Sequence, residues 1–183
     1  MEIWYALTGQ VDRREVQDAI KLINEEIYSK PVKNLRFMIA ASGGDVNGGI
    51  NLYMYLKALP IDVETIAFGE IDVAASIVFL AGKKRSVVEG CRFLFREGRY
   101  TIPDQTAPVH VHEEALAIFR RELHEVIFII ARECGNDTEV VANMLRKSKI
   151  MHADESREFG LAHEILATLP LYQQEKIGFR GLE

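Results

Sequence analysis

Residues 35–41 form an almost unbroken apolar run that stops at Ser42-Gly43-Gly44. This run constrains the fold more than any other feature. It is far too short to cross a bilayer as a helix. Its lack of polar alternation fits a strand buried on both faces, as in a parallel sheet covered by helices. The flanking sequence should then alternate strands with helices, and it does. Residues 3–7 read as a strand closed by Thr8-Gly9. Asp12 and Glu15 stand at capping-box spacing, and Val16, Ile20, Ile23 and Ile27 recur at helical period. A helix over about 49–57 follows the Gly-Gly break and ends before Pro60. Residues 63–68 make a third strand, ended by Gly69. Residues 74–81 make a short, very apolar helix with Gly82 as its stop, and 86–88 and 92–95 read as further strands. Right-handed βαβ crossovers are the expected connection.

The second half changes character. Residues 98–112, with Pro103 and Pro108, read as a loop. The longest helix covers about 113–132, with Leu116, Phe119, Leu123, Val126 and Ile130 on one stripe and Ile127, Phe128 and Ile129 elsewhere around it. A helix apolar on so many sides is either deeply buried or packed on a partner. Cys134-Gly135-Asn136 ends it, and helices follow at 138–147 and 154–159, the last stopped by Gly160. The expected organisation is one domain over 1–170 and a polar C-terminal tail over 171–183.

Composition narrows the function. The chain has 183 residues, 48% of them hydrophobic, and a formal net charge of -5. This describes a chain that buries one core and carries no basic footprint for nucleic acid. Cys91 and Cys134 stand in unrelated contexts and fit a reducing compartment without disulfides. No stretch reads as a signal peptide or a membrane span, which points to the cytosol. No cofactor signature is found. His110 and His112 alternate, so in an extended loop they would share a face as a metal pair, but no third ligand stands at a convincing spacing, and no metal is expected. His124, His152 and His163 read as surface or interfacial residues, and Lys83-Lys84-Arg85 as a solvated turn.

Three segments in order resemble the Clp protease proteolytic subunit (ClpP). They are residues 39–46 with Gly49 and Ile50, residues 62–69 through Leu80-Ala81-Gly82 and the basic run 83–85, and Ala153 to Glu155 with Glu158-Phe159-Gly160-Leu161. The resemblance covers roughly residues 4–166. It implies an α/β fold of the ClpP/crotonase type, with stacked βαβ units and a protruding long handle helix at about 113–132.

The resemblance also implies a serine-protease triad, and this chain departs from it three times. The nucleophile position, four residues after Gly69, is Val73. The base position is Arg96, which stays protonated and accepts no proton. The position of the orienting acid is Ser148. What matches is backbone: Gly43, Gly44 and the amide of Ala74 stand where the family has its oxyanion-binding elements, with Arg96 beside them. Ser76, one helical turn after Val73, is either a displaced nucleophile or a small residue bonding the carbonyl a turn back, and the second reading is preferred. Asp72 is either a cleft carboxylate or a helix cap, and the cap is preferred.

The expectation is therefore a non-catalytic, oligomeric structural or regulatory subunit, alone or with an active paralogue. One alternative is a Clp-type hydrolase using Ser76. Another is a peptide- or acyl-binding module at the remnant cleft. With the first strand beginning at about residue 3, the family's pore-lining N-terminal segment is expected to be absent, and 98–112 differs from the family's glycine-rich stretch. These departures withdraw support from AAA+ ATPase docking and from stacking of rings.

Overall fold

The computed structural model describes residues 1–98 and 106–170. The expected tail at 171–183 lies outside the described residues. The first strand, β1 (Glu2–Val11), is followed by α1 (Arg13–Ser29), β2 (Asn34–Gly44), α2 (Val46–Ala58), β3 (Asp62–Ala67), β4 (Glu70–Ile71) and α3 (Val73–Phe79). Then come β5 (Lys84–Val88), β6 (Arg92–Leu94), α4 (Val109–Cys134), α5 (Thr138–Arg146), β7 (Ile150–His152), α6 (Ala153–Glu158) and β8 (Glu164–Leu166).

A parallel five-stranded sheet runs in the order β1-β2-β3-β5-β8. A small second sheet, β4-β6-β7, has β4 parallel and β7 antiparallel to β6. The apolar run in β2 is buried on both faces, as its composition demands. Leu35, Phe37 and Ile39 join the main core with α1, α2 and α3. Met38 points the other way and packs with Trp4 and Ile66 in a second cluster. Each such side chain contributes about 1.5–3 kcal/mol by leaving water. Arg36 lies over the Trp4 ring and pairs with Glu2 and Glu64, closing one end of that second face.

Several local expectations are corrected. β1 does not stop at Thr8-Gly9: Gly9 takes a φ of 94°, the register slips, and pairing resumes as Gln10 and Val11 meet Gly43 and Gly44. The same pairing carries β2 through Gly43-Gly44, so the glycines lie within the strand. Asp12 caps α1 by accepting from the Glu15 amide at 2.8 Å, but Glu15 does not reciprocate: its carboxylate accepts from the Tyr5 hydroxyl at 3.0 Å. Gly82 is no left-handed stop. A side chain there would collide with the Thr65 hydroxyl, so Gly82 lets α3 pass close to β3. The short strands β4, β7 and β8 carry too few residues to show a period.

The basic run 83–85 is not a solvated turn. Lys83 and Lys84 are exposed and pair with Asp62 and Glu164, but Arg85 is buried. Arg85 Nε donates to the Leu161 carbonyl at 2.6 Å, and its Nη2 donates to the carbonyls of Glu133 and Gly160. One guanidinium thus joins β5, the end of α4 and the turn after α6.

α4 begins four residues before the sequence predicts and its burial is uneven. Its buried residues are Val126, Ile129, Ile130 and Ala131, all in the C-terminal part. Val109 and Ile118 are exposed, so the N-terminal part stands away from the core as a handle. Gly135, with a φ of 69°, ends the helix. No described helix is long and apolar enough to cross a membrane.

Candidate functional site

A cleft of about 270 Å³ opens where the C-terminal end of β2 meets α3, β6 and α4. Its position follows from close backbone approaches. Gly44 has a φ of 147°, and a Cβ there would lie 2.5 Å from the Val11 carbonyl oxygen, so only glycine lets β2 reach this point beside β1. Gly49 in α2 sits almost as close to the Ala74 carbonyl, which brings the start of α3 against α2. Asp45 then caps α2, accepting from the amides of Asn47 and Gly48.

The cleft is lined by Gly43, Gly44, Val46, Asp72, Val73 and Ala74 on one side. The other side carries Arg96, Glu97, Gly98, Leu145 and a wall from the handle: Phe119, Glu122, Leu123 and Val126. Phe119, Leu123 and Val126 belong to the helical stripe visible in the sequence. Glu97 and Glu122 escaped sequence reasoning, because nothing in the spacing of an exposed glutamate marks it as lining a cleft. Glu122 is held by Asn47, whose Nδ2 donates to it at 2.6 Å, so the handle and the start of α2 are tied across the cleft.

Asp72 is the buried acid of the site. It caps α3, accepting from the Ala75 amide at 2.9 Å, as the cap reading required. Burial pushes its carboxyl above the ordinary aspartate value, and the amides of Ala75 and Ala74 together with the charge of Arg96 oppose that rise. The Ala74 amide, expected as an oxyanion element, therefore already acts on Asp72.

Of the sequence-predicted residues, the fold brings together Gly43, Gly44, Val73, Ala74 and Arg96. Ser148 is not among the residues lining this cleft, although its turn runs beside Arg96: the Phe95 amide donates to the Lys149 carbonyl and the Glu97 amide to the Leu145 carbonyl. Ser148 sits in the turn between α5 and β7 with a φ of 52° and lines a different, shallower groove. Ser76 does not reach the cleft either. It is fully buried, and its hydroxyl donates to the Asp72 carbonyl at 2.6 Å. Phe119, Leu123 and Val126 give the cleft an apolar wall on the handle side. No described lining residue carries a hydroxyl, thiol, imidazole or amine.

The histidine pair is corrected. His110 and His112 lie in the first turn of α4, where residues two apart point about 200° from each other, so they share no face. Among the described residues, no group of three His, Cys, Asp or Glu is placed to hold a metal ion. The His163 Nδ1 accepts from the Arg85 amide at 3.1 Å. Burial pushes the Cys91 and Cys134 thiols up to about 12, which leaves both in the unreactive thiol form.

Known proteins place this geometry. The family model described as Clp protease matches residues 4–168. The ATP-dependent Clp protease proteolytic subunit 3 of Rhodococcus jostii (strain RHA1) is 24% identical over 164 residues, covering 88% of this chain and 80% of that protein. The solved structure of a ClpP1 point mutant from Listeria monocytogenes superposes with a TM-score of 0.77 at 18% identity, covering 90% of this chain and 91% of that one.

Proposed function

The chain belongs to the Clp protease family, and we propose that within it the protein is a non-catalytic, oligomeric structural or regulatory subunit. One observation carries this reading: the described lining of the cleft offers no hydroxyl, thiol or imidazole, and its ionisable side chains are Arg96 and the carboxylates of Asp72, Glu97 and Glu122. Val73 stands at the nucleophile position with an alkyl side chain. Arg96 stands at the base position with a permanent charge. Peptide hydrolysis by the family's chemistry needs a hydroxyl activated by a base held in hydrogen-bond reach. The preserved backbone supports a role for the fold itself rather than for turnover.

Assembly is the second half of the proposal. Members of this family form oligomeric rings. The handle's N-terminal part leaves Val109 and Ile118 in water, and Phe128 is half exposed further along. These apolar groups find cover when a second copy, or an active relative, packs beside the handle.

The persistence of the cleft favours a second reading. A cavity of about 270 Å³ with a Phe119–Leu123–Val126 wall is the shape of a site for a peptide or acyl group, bound but not cleaved. The displaced-nucleophile alternative gains no such support, because the Ser76 hydroxyl is buried and engaged.

Sedimentation velocity and a fluorogenic peptide assay on the same sample test the proposal. It expects an oligomer, and peptide turnover no higher than in a heat-inactivated control. A monomer at all concentrations removes the assembly half, and saturable turnover removes the non-catalytic half.

A further inference from the structure

A second groove shares no lining residue with the cleft. α5 and β7 border an open groove of about 560 Å³ lined by Val140, Asn143, Met144, Lys147, Ser148, Lys149, Ile150, Met151 and Phe159. Its floor is apolar: Met144 and Met151 are buried. Its two shoulders are also apolar, and they are exposed. Val140 is 49% and Ile150 51% exposed, so two of the few large exposed hydrophobics among the described residues face one depression.

Among the described residues, β7 is the edge of the small sheet, with β6 on one side only. Phe95 N–H donates to the Lys149 carbonyl, and Phe93 is paired with Met151. In an antiparallel pair, hydrogen-bonding residues alternate. The Lys149 carbonyl and the main-chain groups of Met151 therefore face β6, the Lys149 N–H donates to the Met144 carbonyl, and the N–H and C=O of Ile150 point outward from the edge. Short edge strands flanked by lysine are a common way to discourage pairing. An apolar groove alongside such an edge works in the opposite sense.

Charge narrows the occupant. Among the described residues, the charged ones lining the groove are Lys147 and Lys149, both cationic, in a chain whose net charge is -5. Lys149 is paired with Glu155 at 2.5 Å, which leaves the exposed Lys147 to meet a ligand.

We propose that this groove binds an extended acidic-apolar segment of another protein, which pairs with Ile150 as an added strand, seats alternate apolar side chains between Val140 and Ile150, and sets a carboxylate against Lys147. Strand addition supplies the main-chain bonds, and the alternation of side chains supplies specificity. The site is separate from the cleft and does not depend on whether the protein is catalytic.

The test uses the full chain and two fluorescein-labelled eight-residue peptides, one alternating Val with Glu and one alternating Val with Lys. Fluorescence anisotropy is expected to show the acidic peptide binding roughly fivefold or more tightly than the basic one. Lys147→Glu should reverse that order. Ile150→Pro, which removes both the outward N–H and one apolar shoulder of the groove, should abolish binding while the circular dichroism spectrum stays native. If Ile150→Pro loses native structure, Val140→Asp, on the opposite shoulder, replaces it with the same expectation. Absence of binding, or equal binding of both peptides in the parent and in Lys147→Glu, overturns the proposal. So does a result in which these substitutions change the sedimentation of the protein instead of peptide binding, since the groove would then be an interface between copies.

Discussion

The Tyr53 hydroxyl of α2 donates to the Glu133 carboxylate in the last turn of α4 at 2.5 Å, and this contact fixes the handle to the body of the protein. Lys57 from α2 and the neighbouring Arg132 pair with the same carboxylate. Burial by itself pushes Glu133 up, but the hydrogen bonds from Tyr53, Lys57 and Arg132 outweigh it and hold the carboxyl below its ordinary value. Burial and then Glu133 push Tyr53 the other way, up to about 12. Tyr53→Phe removes the hydrogen bond donated to Glu133 and the one accepted from Arg132, and is expected to cost at least about 1.5–3 kcal/mol in urea unfolding. Glu133→Ala should cost more, because it also leaves the cations around it without their shared partner.

The two glycines at the cleft separate by the space around them. Gly44→Ala puts a Cβ into the Val11 backbone at a positive φ and should cost about 2–4 kcal/mol. Gly43→Ala meets only the Gln10 side chain at ordinary contact distance and should stay within about 1 kcal/mol of the parent. Urea midpoints of the two variants, compared at equal m-value, check the contrast.

How much of this was legible follows from what each residue needs to declare itself. The buried character of β2 could be read because Leu35, Phe37 and Ile39 are apolar regardless of context. The caps at Asp12 and Asp72 could be read because their signal is local. The extension of β1 past Gly9 could not, since it depends on Gln10 and Val11 finding Gly43 and Gly44 across the sheet. Arg85 looked solvated because a run of three basic residues normally is. Only the distant carbonyls of Glu133, Gly160 and Leu161 make its burial tolerable. Val73, Ala74 and Arg96 line one cleft, and the turn holding Ser148 is bonded to the residues on either side of Arg96, although Ser148 itself lines another groove.

His163 should make the protein acid-sensitive below neutrality. Burial, and then the charge of Arg85, lower its pKa from the ordinary 6.5. The unfolded chain therefore binds a proton at this site more readily than the folded one. Its contribution is fully present above pH 6.5 and is lost as the pH falls through the lower folded value. Melting temperature should fall as the pH drops from about 7.5 towards about 5, and His163→Gln should flatten that slope. An unchanged slope in the variant would assign the effect elsewhere.

Ser76→Ala deletes a buried hydroxyl bonded to the carbonyl a turn back and leaves no distant partner unsatisfied. The expected cost is at most about 1 kcal/mol by thermal or urea melt, with oligomeric state unchanged. A large loss of stability would mean that the hydroxyl holds more of the Asp72–Ala75 cap than its geometry indicates.

The most direct test of the central claim is covalent. The purified protein is incubated with a fluorophosphonate serine probe beside an active Clp proteolytic subunit, and adducts are read by intact mass. The account predicts no adduct on this chain and a full adduct on the control. A stoichiometric adduct on this chain would contradict it, and the modified peptide would name the serine that does the chemistry.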